Sequence, residues 1–197
     1  MGRPRQFDER RLLDAATELF WSRGFDDTSV GDVSAATGVG NGSIYAAYGS
    51  KRGLFLAAFE GYCDRRARFV RDVVVAAPGS ARDAIRALLR AVIDDCAAQP
   101  DRRGCLMLNS IAQLGQRIPE VLVIGRRTTA AMEQGVADGL ATRRDAGIDP
   151  ASLSAHSAGV VVMAQGLIQL SRLGTPTERL REIADLSGES LLGASVG

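Results

Sequence analysis

The sequence offers one side chain with distinctive covalent chemistry, the thiol of Cys105 in the run RRGCLMLN at 102–109. A predicted helix begins at this run, and a helix N-terminus beside two arginines stabilises a thiolate. Such a thiolate reacts with electrophiles and oxidants. The alternative is a buried cysteine that packs as a small hydrophobe, and both interpretations stay open. The other two cysteines, Cys63 and Cys96, lie on apolar helix faces and are predicted to be structural.

Polar side chains follow Cys105 along the same predicted helix. Asn109 and Gln113 lie one turn apart on one face, where they are expected to line a pocket and orient a small ligand. The other side chains expected on the pocket wall are Tyr62, Met107, His156, Met163 and Gln165.

Other site chemistry has no supporting pattern. His156 is the only histidine, so a histidine cluster for a metal is excluded, and neither a serine–histidine–acid arrangement nor a phosphate-binding loop is present. No apolar run approaches the ~18 residues of a membrane span, and the polar N-terminus does not read as a secretory signal. We therefore expect a cytoplasmic protein that is not an enzyme, with no cofactor, no metal and no membrane contact.

Residues 28–51, TSVGDVSAATGVGNGSIYAAYGSK, predict two short helices joined by a tight turn. Thr28 is expected to cap the first helix. Gly38 falls where a left-handed residue would end that helix, and a second helix is predicted from about Asn41 to Tyr48. This is a helix-turn-helix, whose second helix enters the major groove of DNA.

The same stretch resembles the DNA-binding module of the tetracycline-repressor (TetR) family of bacterial regulators. The resemblance covers roughly residues 8–60 and rests on the runs TSVxDVSAATGV, GSIYAAY and GSKRGLF. The run RGCLxxN resembles a subgroup of that family, in parts of which the cysteine senses electrophiles or oxidants. The resemblance implies a dimeric regulator that binds double-stranded operator DNA.

The resemblance implies two contacts with DNA phosphates, one from the hydroxyl of Tyr45 and one from the ammonium group of Lys51. The Tyr45 ring is expected to pack inward. Thr28 is expected to offer its hydroxyl or a backbone N–H to a phosphate. The N-terminal arm with Arg3 and Arg5 is either a DNA-binding arm or a terminus without a role.

The remaining predicted interface residues belong to the second helix. Small residues there allow close approach to the groove or contact with a thymine methyl. Asn41 either caps the helix or reads an adenine, and for Tyr48 plain packing competes with DNA contact. The set is Asn41, Gly42, Ser43, Ala46, Ala47 and Tyr48.

The charge of the chain gives little support to the prediction of DNA binding. The chain has a net charge of +1, and its first 51 residues carry six basic and seven acidic side chains. Gly40 and Asn41 also replace the serine and the basic residue that many family members carry. We therefore predict modest affinity for each half-site and a shallow dependence on salt.

The whole chain is predicted to be all-α, with about nine helices in two domains, 1–50 for DNA binding and 51–197 for ligand binding and dimerisation. The segment 158–173 is nearly apolar all round and should be buried on several sides. Together with the last helix it is expected to form a four-helix interface with a second copy. The alternative is a pair of core helices in a monomer.

The sequence thus predicts a dimeric transcriptional regulator, most simply a repressor. It is expected to leave a pseudo-palindromic operator when a small molecule binds or Cys105 is modified. The alternative is a helical small-molecule or redox sensor with weak or no sequence-specific DNA binding.

Overall fold

The computed structural model describes residues 8–99, 101–143 and 152–190, with side chains through residue 187. Within these ranges the chain forms nine helices and no strand, as predicted. They are α1 Glu9–Arg23, α2 Val30–Thr37, α3 Asn41–Tyr48, α4 Lys51–Ala76, α5 Ala81–Ala97, α6 Leu106–Leu114, α7 Pro119–Ala141, α8 Leu153–Arg172 and α9 Thr177–Ser190.

The first three helices, called the head, close on an aromatic cluster. The Asp8 side chain caps α1 by accepting from the Arg11 N–H, and Gly24 ends the helix with a φ of 86°. Phe20 and Phe25 of the head both pack edge-on against Phe55 of α4, with ring centroids 5.2 and 5.1 Å apart. The start of α4 thus belongs to the core of the head, and the domain boundary at residue 50 stays a prediction.

The long helix α4 joins the head to α5–α9, called the body. Ser50 caps it through the Gly53 N–H, as an N-cap serine does. Its most extensive partner among the described helices is α7. The pair is close because Gly135 and Gly139 face α4: a Cβ at Gly139 would lie 2.4 Å from the Val74 Cγ1 atom.

The helices of the body begin and end at capping residues, prolines and glycines. A reciprocal capping box of Ser80 and Asp83 begins α5, and Pro119 occupies the first turn of α7. The helix α6 begins at Leu106 rather than Gly104, because Gly104 has a left-handed φ of 71°.

The apolar helix α8 departs from its prediction. It packs on α5, α7 and α9, but only one of its faces is buried, and Val162 and Leu173 are 66% and 81% exposed. Among the described helices it alone is long and apolar enough to cross a membrane by length and composition. It passes by mean hydropathy and not as an uninterrupted apolar run, and a single helix of this kind is weak evidence for a membrane span.

Candidate functional site

The turn between α2 and α3 has helix-turn-helix geometry. Ser29 caps α2: its Oγ accepts the Asp32 N–H at 3.0 Å, and the Asp32 carboxylate accepts the Ser29 N–H at 2.7 Å. Gly38 ends α2 in the left-handed region with a φ of 74°. Val39 is half-buried against the core and fixes the corner. The left-handed glycine and the packed valine together set the direction in which α3 leaves.

Thr28 does not cap α2, so that prediction is wrong. Its side chain is buried, and its hydroxyl donates to the carbonyls of Leu19 (3.2 Å) and Gly24 (2.8 Å). The hydroxyl thereby ties the start of α2 to the end of α1. It is not available to a phosphate, and only a backbone N–H at this end of α2 remains as a predicted contact.

The outer face of α3 consists of small and polar side chains. Ile44 is buried and anchors the helix in the head. The opposite side exposes Asn41, Gly42, Ser43, Tyr45 and Ala46, whereas Ala47 is half-buried. No side chain caps α3, because its N-cap is Gly40. The capping alternative for Asn41 is therefore wrong, and contact with a base stays the prediction for this residue.

The two tyrosines of α3 differ from each other. Tyr45 is 49% exposed, so its ring is not buried in the core of the head as expected, and about half of the residue is open to solvent. Tyr48 is half-buried, and its hydroxyl donates to the Glu9 carboxylate at 3.1 Å. Tyr48 therefore connects α3 to α1, which agrees with the packing alternative.

The basic residues beside α3 are held by the protein itself. Lys51 Nζ donates to the Asp26 carbonyl at 3.0 Å and lies 4.6 Å from the centre of the Phe25 ring. Arg52 forms an ion pair with Glu120 of α7. The predicted phosphate contact of Lys51 would require exchange of these interactions. The predicted arm residues Arg3 and Arg5 lie outside the described residues.

Cys105 is buried and faces an inner cavity of about 30 Å³, bounded by α4–α8. Met107 and Gln165, two of the predicted pocket residues, line the same cavity together with Arg66, whose guanidinium also pairs with Asp95 at 2.9 Å. The rest of the wall is apolar. The cavity is thus a small apolar space with one thiol, one amide and one cation.

The Cys105 sulfur has a tyrosine as its polar neighbour. The Tyr62 hydroxyl donates to the sulfur at 3.4 Å and accepts the Leu106 N–H at 3.3 Å. Burial raises the pKa of Tyr62 well above its ordinary value, so the phenol stays protonated and remains a donor. Tyr62 therefore connects α4 to the first residues of α6.

The two arginines before Cys105 do not contact its sulfur. Arg103 pairs with Asp101 at 3.0 Å and with Glu18 of α1 at 2.5 Å, and its guanidinium stacks on Trp21. Arg102 points to the same side of the chain, outside the inner cavity. The expected activation of the thiol by these arginines is therefore absent from the described structure.

The other thiols are less acidic than a free cysteine. Burial raises the pKa of Cys63 to about 12, and burial also raises the pKa of Cys96. Both thiols therefore stay protonated at neutral pH, which fits their predicted structural role.

The predicted pocket residues do not form one site. Asn109 and Gln113 line a separate outer cleft of about 560 Å³, formed by residues 20–27 of the head, the segment 101–103, α6 and Arg172. His156 interacts with the Ser152 carbonyl, and the sulfur of Met163 accepts from Ser187. Neither borders the inner cavity or the outer cleft. Arg66 and Arg172, which the sequence did not single out, do border them.

Metal binding has no structural support in the part of the chain that the structure describes. No group of three histidine, cysteine or acidic side chains is arranged to hold an ion there.

Comparison with known proteins shows which proteins this helix-turn-helix chain is similar to. Residues 12–58, which span α1 to the first turns of α4, match the family model "Bacterial regulatory proteins, tetR family". The head is similar to the DNA-binding module of the tetR family. Similar proteins of this kind include the HTH-type transcriptional repressor ComR of Escherichia coli (strain K12), 29% identical over 93% of this chain and 88% of ComR. The HTH-type transcriptional regulator YezE of Bacillus subtilis (strain 168) is 27% identical over 95% of this chain and 97% of YezE.

A solved structure in the tetR family extends the likeness over the whole fold. It is a cysteine mutant of the TetR family transcriptional regulator CifR, complexed with 26-bp double-strand operator DNA. The two chains are 28% identical with a TM-score of 0.72, over 96% of this chain and 99% of CifR. The head and the body together therefore have the arrangement of a tetR-family regulator.

Proposed function

We propose that the protein is a dimeric transcriptional repressor that inserts α3 into the major groove of a pseudo-palindromic operator. The exposed outer face of α3 carries the proposal. Five neighbouring residues there face outward, while Ile44 and the Ser29 cap fix the helix on a rigid head. An exposed helix with small residues fits a groove, and the proposal implies a cytoplasmic protein.

The dimer is proposed to form through α8 and α9. The outward face of α8 carries Val162 and Gly166, Leu173 follows directly at its end, and α9 exposes Leu186 at 64%. Apolar side chains in such a row favour association with an identical row across a twofold axis. A twofold dimer sets two recognition helices one turn of DNA apart, ~34–36 Å.

Release from DNA is proposed to begin at the inner cavity, through a small ligand or an electrophile that modifies Cys105. Tyr62 supports this route because its hydroxyl bridges the Cys105 sulfur and α6, while its own helix α4 begins at the head. A group added to the sulfur has no room in about 30 Å³. It therefore displaces Tyr62 and favours an arrangement with a different head orientation.

The first test is a titration of the protein onto DNA from its own upstream region at two salt concentrations, with random DNA as the control. Ala46→Glu adds a negative charge to the outer face of α3, and Ala76→Glu adds the same charge to an exposed position at the far end of α4. We expect selective, salt-sensitive binding that Ala46→Glu abolishes and Ala76→Glu leaves intact.

Equal effects of the two variants would contradict the assignment of α3. Binding no better than to random DNA, at the upstream region and in a genome-wide selection of bound fragments, would favour the alternative of a helical sensor without an operator.

The signal is tested in the same assay with N-ethylmaleimide as the probe. We expect the reagent to release wild-type protein from DNA and to leave Cys105→Ser bound. Release of both proteins would place the sensitive thiol elsewhere, with Cys96 as the next accessible cysteine.

A further inference from the structure

The outer cleft lies between the two parts of the molecule that a regulator must couple. Its head wall is the end of α1 with the following turn, and its body wall is the segment 101–103 with α6. About 560 Å³ of space is within the range of small-molecule sites, and the cleft opens to solvent. It does not share Cys105 with the inner cavity.

Two arginines converge at the body wall of this cleft because two glycines leave room for them. The Arg172 Cδ lies 3.3 Å from the position of a Cβ on Gly104, and the Arg102 Nη1 lies 3.1 Å from the position of a Cβ on Gly174. Both glycines have positive φ, 71° and 88°. The two turns thus bring two positively charged side chains to the wall of one cleft.

The two guanidinium groups lack carboxylate partners within the described ranges. Arg172 donates to the Asn109 side-chain oxygen, and Arg102 forms neither an ion pair nor a side-chain hydrogen bond there. The Asn109 amide in turn donates to the Arg103 carbonyl, so Asn109 positions Arg172. Arg102 also has a φ of 49°, a left-handed conformation that is strained for a residue with a Cβ.

The acidic groups of the cleft do not neutralise these arginines. Asp26 is held by Arg117 through two hydrogen bonds of 2.8 Å, and Asp101 is held by Arg103. Asp27 is exposed and lies on the head wall. The body wall therefore keeps an excess of positive charge.

We propose that the outer cleft binds a small molecule through a phosphate or carboxylate group held by Arg102 and Arg172. Both groups present the paired oxygens that a guanidinium binds with two parallel hydrogen bonds. The Gln113 side chain is exposed in the same cleft and provides an amide for the remainder of the molecule.

The occupied cleft also acts on the head. Arg103, the neighbour of Arg102, forms an ion pair with Glu18 and a cation–π contact with Trp21, both on α1. An anion bound at Arg102 changes the position of the segment 101–103 and thereby the contacts of Arg103 with α1. This consequence for DNA rests on the proposed function, whereas the binding itself does not.

The test is calorimetric titration of the full chain with inorganic phosphate and, separately, with succinate, at constant ionic strength. The variants are Arg102→Gln and Arg172→Gln, and the control is Arg126→Gln, which removes an exposed arginine on α7 far along the sequence from the cleft. We expect saturable binding that each cleft variant weakens about tenfold or more and that the control preserves.

The two probes separate the ligand chemistries. Binding of phosphate alone assigns a phosphate ligand, and binding of succinate assigns a carboxylate ligand. Absence of saturable binding for both probes, or equal affinity of the Arg102→Gln and Arg126→Gln proteins, overturns the site. Circular dichroism of each variant verifies its fold.

A second readout uses operator DNA. The probe that binds is expected to change DNA affinity in wild-type protein and not in Arg102→Gln. A bound probe with no effect on DNA contradicts the coupling to the head but not the site. Loss of DNA binding in every protein, with the probe still bound, would count against the proposed function alone.

Discussion

Arg102 is the one residue other than glycine that has a positive φ in the described structure, and this sets a test at the scale of a single residue. A glycine populates this conformation freely, whereas alanine has the same Cβ as arginine. We therefore expect Arg102→Gly to raise the free energy of unfolding by about 0.5–1 kcal/mol. Arg102→Ala is expected to give no such gain in a urea titration. Equal stability of the two variants would show that the backbone here is not strained.

Gly42 tests the outer face of α3 through two effects of opposite sign. No heavy atom lies within 4 Å of a Cβ built on Gly42, so Gly42→Ala should stabilise α3 by about 0.5–1 kcal/mol. In the groove the same methyl would overpack the contact, at about 1–3 kcal/mol, or roughly ten- to hundredfold in affinity.

The control for Gly42→Ala is Gly61→Ala in α4, where the nearest neighbour of the added Cβ is the Arg65 guanidinium at 3.6 Å. It should stabilise the fold without any change in DNA affinity. Thermal melts measure the change in stability, and fluorescence anisotropy measures the change in DNA affinity. Unchanged DNA affinity of Gly42→Ala would show that α3 does not approach the groove at this residue.

Thr28 and Ser29 show how far the sequence alone can distinguish the roles of two neighbouring hydroxyl residues. Thr28 and Ser29 both carry a hydroxyl at the start of α2, and only Ser29 has a carboxylate three residues later, in Asp32. That spacing is the signal by which the sequence could have identified Ser29, rather than the predicted Thr28, as the cap of α2. The burial of Thr28 depends on the end of α1, which local sequence does not describe.

At the scale of elements, the outward face of α8 is the feature with the clearest consequence. Val162→Glu would bury a charge in the proposed dimer interface, at a cost of about 3 kcal/mol or more. We expect it to weaken dimerisation at least about a hundredfold and to weaken operator binding with it. Val75→Glu, an equally exposed valine on α4, is the control. Light scattering after size exclusion gives the mass, and an unchanged mass in Val162→Glu would exclude this face.

Helix boundaries were predictable because glycine, proline and capping residues mark them locally. Gly24, Gly38, Ser50, Ser80 and Pro119 all lie where the sequence places a helix end or start. The faces of α6 were not predictable in the same way. Cys105 and Met107 line the inner cavity while Asn109 and Gln113 line the outer cleft, because the inner cavity is enclosed by body helices and the outer cleft is closed by the end of α1.

At the scale of the whole molecule, ion pairs between head and body set a pH dependence. Hydrogen bonds from Arg117 lower the pKa of Asp26 from its ordinary value of 3.8, and those from Arg52 lower the pKa of Glu120. A carboxylate whose pKa is lower in the folded state stabilises the protein above its unfolded pKa. This stabilisation is lost as the pH falls through the folded value.

We therefore expect the difference in melting temperature between wild type and Asp26→Asn to be largest near neutral pH and to shrink below about pH 4. Asp27→Asn removes the adjacent exposed carboxylate, which has no ion pair in the described structure, and its difference should not vary with pH. A pH-independent difference for Asp26→Asn would show that Arg117 does not hold the head.

The close glycine contacts between α4 and α7 make these two helices move as one rigid unit. With Gly139 against Val74 there is no gap into which either helix can slide, so a disturbance in the body tilts both together. The 26 residues of α4 span about 39 Å. A tilt of roughly 5° at one end then displaces the other by about 3 Å. In a twofold dimer the displacement doubles, and two recognition helices spaced for one turn of DNA no longer match its grooves.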